Sequence, residues 1–543
     1  MTKLPTSRRR VMLYGSLLLM LPSLYYLLAP LGSSDFEIKF DDQAVQATKA
    51  FLQEPVAAED TSQKPNIIVI LADDLGKTDI SLYGGNLVET PHMDAIGKKG
   101  VTFDAGTVTS PVCSPSRAGL ITGRYQHRFG NEHQKHLIYL KNRLQYYGFK
   151  YFVDSGPWQP IKADKVPRAE DIARQGLPPT EHTLAEILKK HGYHTGLIGK
   201  WHLGSADFNL PCNRGFDYQY GFYASHSLFS PEGSEGIVDQ KNPDDFTDDH
   251  IWNGQRYGEH AIYRNCVEIE EPDYLTDRLA EEAIAYIERQ KNNPFFLYLP
   301  FSAPHTPLQA PQDLYDQYAH IEDPLVRIYV AMIKSLDIAV GQVIKKVEDS
   351  GLAENTLIIF LSDNGGATYA HVTENAPLRG GKITTFEGGV NVPFMMRWDG
   401  VIPEGINYTN QVSALDIFAT SVALANAVTD KTKPLDGVNL IPFLTGNKAD
   451  APHQELFWKS GNNIAVRTDE WKLLHDFKSD QTVLFHLGED RIESKNVAKG
   501  NPEVVNSLMS FYKKWAEELP PPSWSPVVYY EHRYGDEVFL FDN

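Results

Sequence analysis

Cysteine is scarce in this 543-residue chain, which has only Cys113, Cys212 and Cys266. Three cysteines are too few for a disulfide framework. If Cys113 is committed elsewhere, Cys212 and Cys266 are left either to pair in an oxidising compartment or to stay reduced. Positive charge is also short: 51 Lys and Arg stand against 70 Asp and Glu, a formal net charge of −19. That excludes nucleic acid as the main partner, because phosphate binding needs a basic footprint. An anionic substrate stays open, since net charge does not describe the local field of a pocket that gathers Lys, Arg and metal. Internal repeats and low-complexity tracts are absent.

What is present begins with Arg8-Arg9-Arg10 and a run without charge from Val11 to Leu31. A positive flank before an apolar run is an export signal or signal-anchor pattern, and about 20 apolar residues are enough to span a bilayer. Ser7 to Met12 is loosely like a twin-arginine signal, and no Cys follows to accept a lipid. The expectation is export to the periplasm or cell envelope; whether residues 11–31 remain as a tether is left open, and any contact with a membrane is through that segment. Residues 1–34 read as this signal or anchor, 35–64 as a polar linker, 65–450 as a catalytic domain and 451–543 as a smaller C-terminal unit.

From Pro65 the chain alternates short β-branched runs with helical stripes. Pro65–Leu71, Thr195–Gly199, Pro294–Pro300 and Thr356–Leu361 read as buried strands, separated by helices over Thr183–His191, Leu275–Lys291 and Leu325–Val347. That grammar predicts an α/β fold, a large mostly parallel sheet sandwiched by helices. Past Ala451 short alternating strands and a helix over Asn501–Leu519 predict an α+β subdomain. Each of the four strands ends in a polar cluster: Asp73-Asp74, Lys200 with His202, His305, and Asp363-Asn364. In open α/β sheets the carboxyl ends of the strands are where ligands bind.

The chemistry of these clusters is consistent. Asp73, Asp74, Asp363 and Asn364 are hard oxygen donors, suited to Ca²⁺ or Mg²⁺ and unlike a zinc site. Lys200 and Lys382 are cations for an anionic group, and His202 and His305 are proton carriers near neutral pH. Cys113 stands at the mouth of a predicted helix, where backbone N–H groups and the helix dipole favour an anion. Arg117, four residues on, can reach back along the same helix face.

Together Leu71–Gly76, Cys113-Ser114-Pro115-Ser116-Arg117, Gly199–Gly204, Pro304-His305, Ser362–Gly365 and Gly381-Lys382 with Thr384–Gly389 resemble the active-site motifs of the type I, formylglycine-dependent sulfatases. These belong to the alkaline-phosphatase-like superfamily. The resemblance covers about Pro65 to Trp398 and weakens in the C-terminal unit. It implies that Cys113 is oxidised to formylglycine (3-oxoalanine) by a formylglycine-generating enzyme and is then hydrated. It further implies a Ca²⁺ held by Asp73, Asp74, Asp363, Asn364 and the modified Cys113, with Arg117 steadying the diol. Lys200 and Lys382 would bind sulfate oxygens, His305 would also bind substrate and protonate the leaving alcohol, and His202 would deprotonate the second hydroxyl to expel sulfate.

One departure is that Lys77-Thr78 follow Gly76, where the family often has an aromatic residue and a glycine; an altered pocket rim is expected. The expected substrate is a sulfated carbohydrate, a polysaccharide-derived oligosaccharide, with release of inorganic sulfate. An aryl sulfatase, a phosphate or phosphonate monoester hydrolase on the same fold, and a non-catalytic glycan-binding relative are the alternatives. His133, Lys135, His136 and Arg214 are candidate sugar contacts, and the stretch from Gly204 to Arg264, with His226, Phe229, Trp252 and Tyr257, is a candidate cleft wall.

Overall fold

The computed structural model describes the chain except residues 1–21, 31–32, 57–63, 137, 163–164 and 246. Ten strands build the central sheet: β1 Asn66–Ala72, β2 Val101–Phe103, β3 His194–Lys200, β4 Tyr218–Phe222, β5 Ile262–Arg264, β6 Val267–Ile269, β7 Phe295–Pro300, β8 Thr356–Ser362, β9 Phe394–Arg397 and β10 Ile406–Tyr408. Their spatial order is β6-β5-β4-β3-β7-β1-β8-β9-β2-β10. The five central strands, β4, β3, β7, β1 and β8, run parallel. The pairings just outside them are antiparallel, and β10 lies parallel to β2 at one edge.

Side-chain alternation explains why the central runs are apolar throughout. Ile67, Val69 and Leu71 of β1 enter one core with Phe296 and Tyr298, while Ile68 and Ile70 enter the opposite core with Leu297 and Leu299. A parallel sheet covered on both faces leaves no wet face for polar residues. Helices Leu275–Gln290 and Pro324–Asp349 cover one side, and Leu184–Lys190 and Leu415–Leu424 the other. Their starts are locally encoded: Thr183 and Glu186 form a capping box, and Asp323 caps a helix whose first residue is Pro324.

The C-terminal strands Leu456–Ser460, Asn463–Arg467, Trp471–Asp476 and Gln481–His486 form an antiparallel sheet. One of its faces packs on helix Pro502–Ala516 through Leu508, Tyr512 and Trp515. Its other face, with Trp458, Ala465, Leu474 and Val483, joins a core of the main sheet. The final hairpin, Val528–Tyr534 with Glu537–Asp542, extends to pair with Trp158–Pro160, carrying the end of the chain back to the main body.

Two expectations need correction or placement. Residues 35–64 are more than a linker: they contain helix Asp42–Gln53, capped by Asp41, whose carboxylate accepts from the Gln43 and Ala44 N–H groups. Ala44, Val45, Thr48, Phe51 and Leu52 form its shielded face, and the Thr48 hydroxyl donates to the Thr180 carbonyl at 2.9 Å. A short stripe among charged residues reads as polar in sequence, yet it is enough to dock a helix. The apolar run 11–31 lies mostly outside the described residues, and among the described residues no helix is long and apolar enough to cross a membrane. The open question of Cys212 and Cys266 is resolved: they form a disulfide, with Cα atoms 6.4 Å apart.

Candidate active site

Register decides which polar clusters meet. In the β1–β8 ladder Ala72 lies opposite Ser362, so Asp73-Asp74 and Asp363-Asn364 leave the sheet side by side. The Asp363 N–H donates to the Ala72 carbonyl at 3.1 Å, and the Asp74 N–H donates to Asp363 Oδ1 at 3.2 Å. Asp74 adopts a left-handed backbone, φ 61°, one that Asp tolerates better than most residues. Neighbouring β3 delivers Lys200 and His202, and β7 delivers His305.

Cys113 is the first residue of helix Cys113–Thr122, all of whose residues are buried. Its Sγ lies 3.5 Å from Asp73 Oδ1 and 3.7 Å from Asp74 Oδ1. One turn on, the Arg117 guanidinium donates to Asp363 Oδ2 from Nε at 2.8 Å and pairs with the same oxygen at 2.7 Å through its second nitrogen. It also donates to the Lys200 carbonyl at 2.9 Å. The ammonium of Lys200 sits 2.6 Å from Asp73 Oδ2, and that of Lys382 sits 2.7 Å from Asp74 Oδ2. His305 Nε2 is 3.6 Å from the same Asp74 oxygen. Three buried carboxylates thus face three buried cations, the condition under which such charges persist away from water.

Lys382 arrives on a loop that must pass close to the β8 loop. A Cβ at Gly365 would fall 1.8 Å from the Gly388 carbonyl oxygen, and one at Gly389 would fall 1.9 Å from that of Thr384. Glycine is required there by close backbone approach.

Burial pushes the Asp74 carboxyl up, but Lys382, His305 and Lys200 hold it well below the usual range. Burial pushes Asp363 up to about 6 although Arg117 opposes it. His305 is lowered to about 3 by burial and the nearby Lys382. Burial, with the charge of Asp363 beside it, pushes the Cys113 thiol well up. Reactive thiols show the opposite shift.

The donor set fits a hard divalent cation. Asp73, Asp74 and Asp363 contribute carboxylate oxygens, and the buried Asn364 Oδ1 has no hydrogen-bond partner, while its Nδ2 donates to Asp74 at 2.8 Å. Ligand atoms of Asp73, Asp74, Cys113 and His305 all lie within 4.8 Å of one another. An oxygen-rich set of this kind suits Ca²⁺ or Mg²⁺.

Above this floor opens a cavity of about 370 Å³, which His202, His305 and Lys382 line at its base. Lys135, Glu259, His226 and His260 form one wall, and Trp158, Tyr369 and Val528 stand among its apolar lining. Of the four sugar contacts expected from sequence, Lys135 and His136 line the cavity. His133 is buried beside Glu132, 3.9 Å away. Arg214 is a correction: its guanidinium pairs with Glu186 at 3.1 Å and donates to the Glu181 carbonyl at 2.6 Å. It clamps the start of helix Leu184–Lys190 and has no donor turned to substrate.

In the stretch from Gly204 to Arg264, His226 lines the cavity, Phe229 and Trp252 are core, and Tyr257 is exposed. Lys77 is a second correction. It is buried and donates to the Asp104 carbonyl at 2.6 Å and Asn391 Oδ1 at 2.7 Å, away from the cleft. Glu259, His260, Trp158 and Tyr369 carry no recognisable spacing, and only packing brings them to the cavity.

Known proteins align with this arrangement. The Sulfatase family model matches residues 65–427, and the model for the C-terminal region of N-sulphoglucosamine sulphohydrolase matches 381–518. N-acetylgalactosamine-6-sulfatase of Mus musculus is 32% identical over 492 residues, spanning 88% of this chain and 84% of the relative. The uncharacterized sulfatase YdeN of Escherichia coli K12 is 26% identical over 575 residues, 89% of this chain and 91% of that protein. The crystal structure of Ps i-CgsB superposes with a TM-score of 0.71 at 31% identity, covering 85% of this chain and 95% of that chain. The same protein in complex with k-i-k-neocarrahexaose gives 0.70 at 30% identity, with the same coverage.

Proposed function

From the premise that the chain belongs to the sulfatase family, we propose that it hydrolyses the sulfate ester of a carbohydrate, using a formylglycine made from Cys113 and a divalent cation. The observation that carries this reading is the placement of Cys113 at a helix N-terminus, within 3.7 Å of two aspartates, on a floor whose lysines can receive an anion. Two solved or curated relatives point to the substrate: one is named for N-acetylgalactosamine 6-sulfate chemistry and the other holds a carrageenan oligosaccharide.

In this reading Asp73, Asp74, Asp363 and Asn364 would hold Ca²⁺, which would supply positive charge to activate an oxygen nucleophile and stabilise the transition state. The hydrated formylglycine supplies the attacking oxygen and a second hydroxyl through which sulfate can later leave. Lys200 and Lys382 bind sulfuryl oxygens, offsetting charge as it develops. His305 Nδ1 faces the Thr306 carbonyl at 2.6 Å; a carbonyl can only accept, so Nδ1 carries a proton and Nε2 is the atom that exchanges one. A bound sulfate ester would offset the Lys382 charge that helps hold the imidazole neutral, so that His305 Nε2 can take up a proton and pass it to the leaving alcohol oxygen, and His202 takes the proton that frees sulfate. Arg117, tied to Asp363 and the Lys200 carbonyl, fixes the floor's geometry.

The Cys212–Cys266 disulfide supports an oxidising compartment. We accordingly assign the N-terminal segment to export, with a formylglycine-generating enzyme acting on Cys113 as the partner this chain requires. The test is the mass of the peptide containing Cys113, with sulfate release measured on the same sample. Conversion lowers the mass by about 18 Da, through loss of H₂S and gain of O. An unmodified thiol in fully active protein overturns the reading, and faster hydrolysis of a matched phosphate ester reassigns the reaction.

A further inference from the structure

Within the cavity, His226 has a polar atom that nothing in the protein uses. The residue is 5% exposed, and its Nε2 is buried without a hydrogen-bond partner. The other nitrogen, Nδ1, lies 2.9 Å from the Ser225 hydroxyl. His260 lies beside it, ring centroids 4.3 Å apart and planes tilted by 35°, and directs its Nδ1 to the His226 carbonyl at 2.8 Å. That carbonyl can only accept, so the neutral His260 ring carries its proton on Nδ1 and presents Nε2 as an acceptor. Both Nε2 atoms lie 3.3 Å from the point a Cβ on Gly254 would occupy. The missing side chain keeps space open in front of both.

The wall around this pair carries little net charge. Burial holds both imidazoles below their ordinary value, helped at His226 by the neighbouring His260. The nearby cation, Lys135, is 2.5 Å from Glu259, whose other oxygen accepts from Ser205 at 2.6 Å. Such a wall offers an unused nitrogen at His226 Nε2, an acceptor at His260 Nε2 and a lysine already paired with a carboxylate. A hydroxyl, which both donates and accepts, fits that pattern. A second sulfate or a carboxylate would bring a charge that the wall cannot neutralise and would meet the Glu259 carboxylate. The floor is the contrasting place: a divalent cation on Asp73 and Asp74 would release Lys200 and Lys382, now paired with those carboxylates at 2.6 and 2.7 Å, to face an anion.

We propose that His226 and His260, backed by Lys135 and Glu259, read a free hydroxyl next to the sulfate ester, making the enzyme selective for sugar units that are neutral at that position. The proposal rests on the sulfatase reading above. It also orders the chemistry of a multiply sulfated polymer: a hydrolase that removes the neighbouring sulfate must act before this one.

The test compares kcat/KM on galactose monosulfates, on the corresponding galactose disulfate, and on methylumbelliferyl sulfate, which has no sugar hydroxyl. Wild-type enzyme should prefer its best monosulfate to the disulfate by at least about 100-fold, toward the roughly 10⁴-fold that a site built to hydrogen-bond a hydroxyl can reach. His226→Ala should lower kcat/KM on the monosulfate about tenfold, mainly through KM, and narrow the gap between sugar and aryl substrates. Gly254→Ala, which fills the space in front of both Nε2 atoms without removing a polar group, should do the same. Equal rates on monosulfate and disulfate overturn the proposal. So does an equal loss on sugar and aryl esters, which would place His226 on the sulfate itself. Failure to hydrolyse any of the esters, with formylglycine verified, overturns the sulfatase reading first and this inference with it.

Discussion

The floor and the wall of the cavity are built on different principles. Floor residues stand at or just past the ends of parallel strands or on one buried helix, with Lys382 alone brought in by a glycine-rich loop, and nearly every charged atom has a partner within 3 Å. Wall residues come from loops and insertions, with an orphaned imidazole nitrogen at His226 and a glycine where a side chain would intrude. The ladder of β1 and β8 holds the floor rigidly, as chemistry on one invariant sulfate group requires. The wall is free to vary without disturbing that ladder, and loops are where specificity is carried.

The comparison can be broken from the floor first. Cys113→Ala and Asp73→Asn should each lower sulfate release by about 10³-fold or more, with the melting transition retained in both. A variant that kept a tenth of the activity would show that the floor is not the reacting centre.

A smaller effect is expected where the wall is anchored. The Cys212–Cys266 bond joins the turn Pro211–Asn213 to the β5–β6 hairpin. Replacing both cysteines by serine should cost about 2–4 kcal/mol of stability. In steady-state kinetics KM should rise more than kcat falls, because the floor is left in place. An equal change in both would mean that floor and wall are mechanically one.

The smallest effect concerns a brace outside both. Lys472 lies 2.8 Å from Glu387 and 3.1 Å from Glu493, while the Glu387 N–H donates to Glu493 at 2.6 Å. Glu387 follows the loop that carries Lys382, so this brace supports the floor from below. Burial, with Glu387 nearby, pushes the Glu493 carboxyl from 4.5 up to about 7. The folded state therefore binds the Glu493 proton more tightly than the unfolded state does. Its contribution is full below pH 4.5 and is lost as pH rises toward 7. Denaturant titrations should show Glu493→Gln gaining on wild type across that window, by at most about 3 kcal/mol. A constant difference at all pH values would show that folding leaves the Glu493 carboxyl at its ordinary pKa.

Much of the floor was legible because its signals are local. An apolar β-branched run ending in Asp73-Asp74 or Asp363-Asn364 is a strand with a functional end, and the helix behind Cys113 follows from its own residues. Lys135 and His226 were visible as candidates, but Arg214 was misplaced. A buried guanidinium satisfied by carbonyls has the same letter as one facing substrate, and no spacing separates the two. The helix at Asp42–Gln53 was read as linker because its apolar face is only a few residues wide.

By itself the sequence determined the alternation of helix and strand, the residues at each strand end and the chemistry they can perform. Hydrophobic periodicity and short motifs act over a few residues and need no partner to be recognised. Tertiary structure alone decided that Ala72 lies opposite Ser362, which brings the two aspartate clusters together. It also decided that Cys212 meets Cys266, and that His226, His260, Lys135 and Glu259 share one wall. Those meetings depend on ladder register and on the packing of segments far apart in the chain, where each position is set by the whole core.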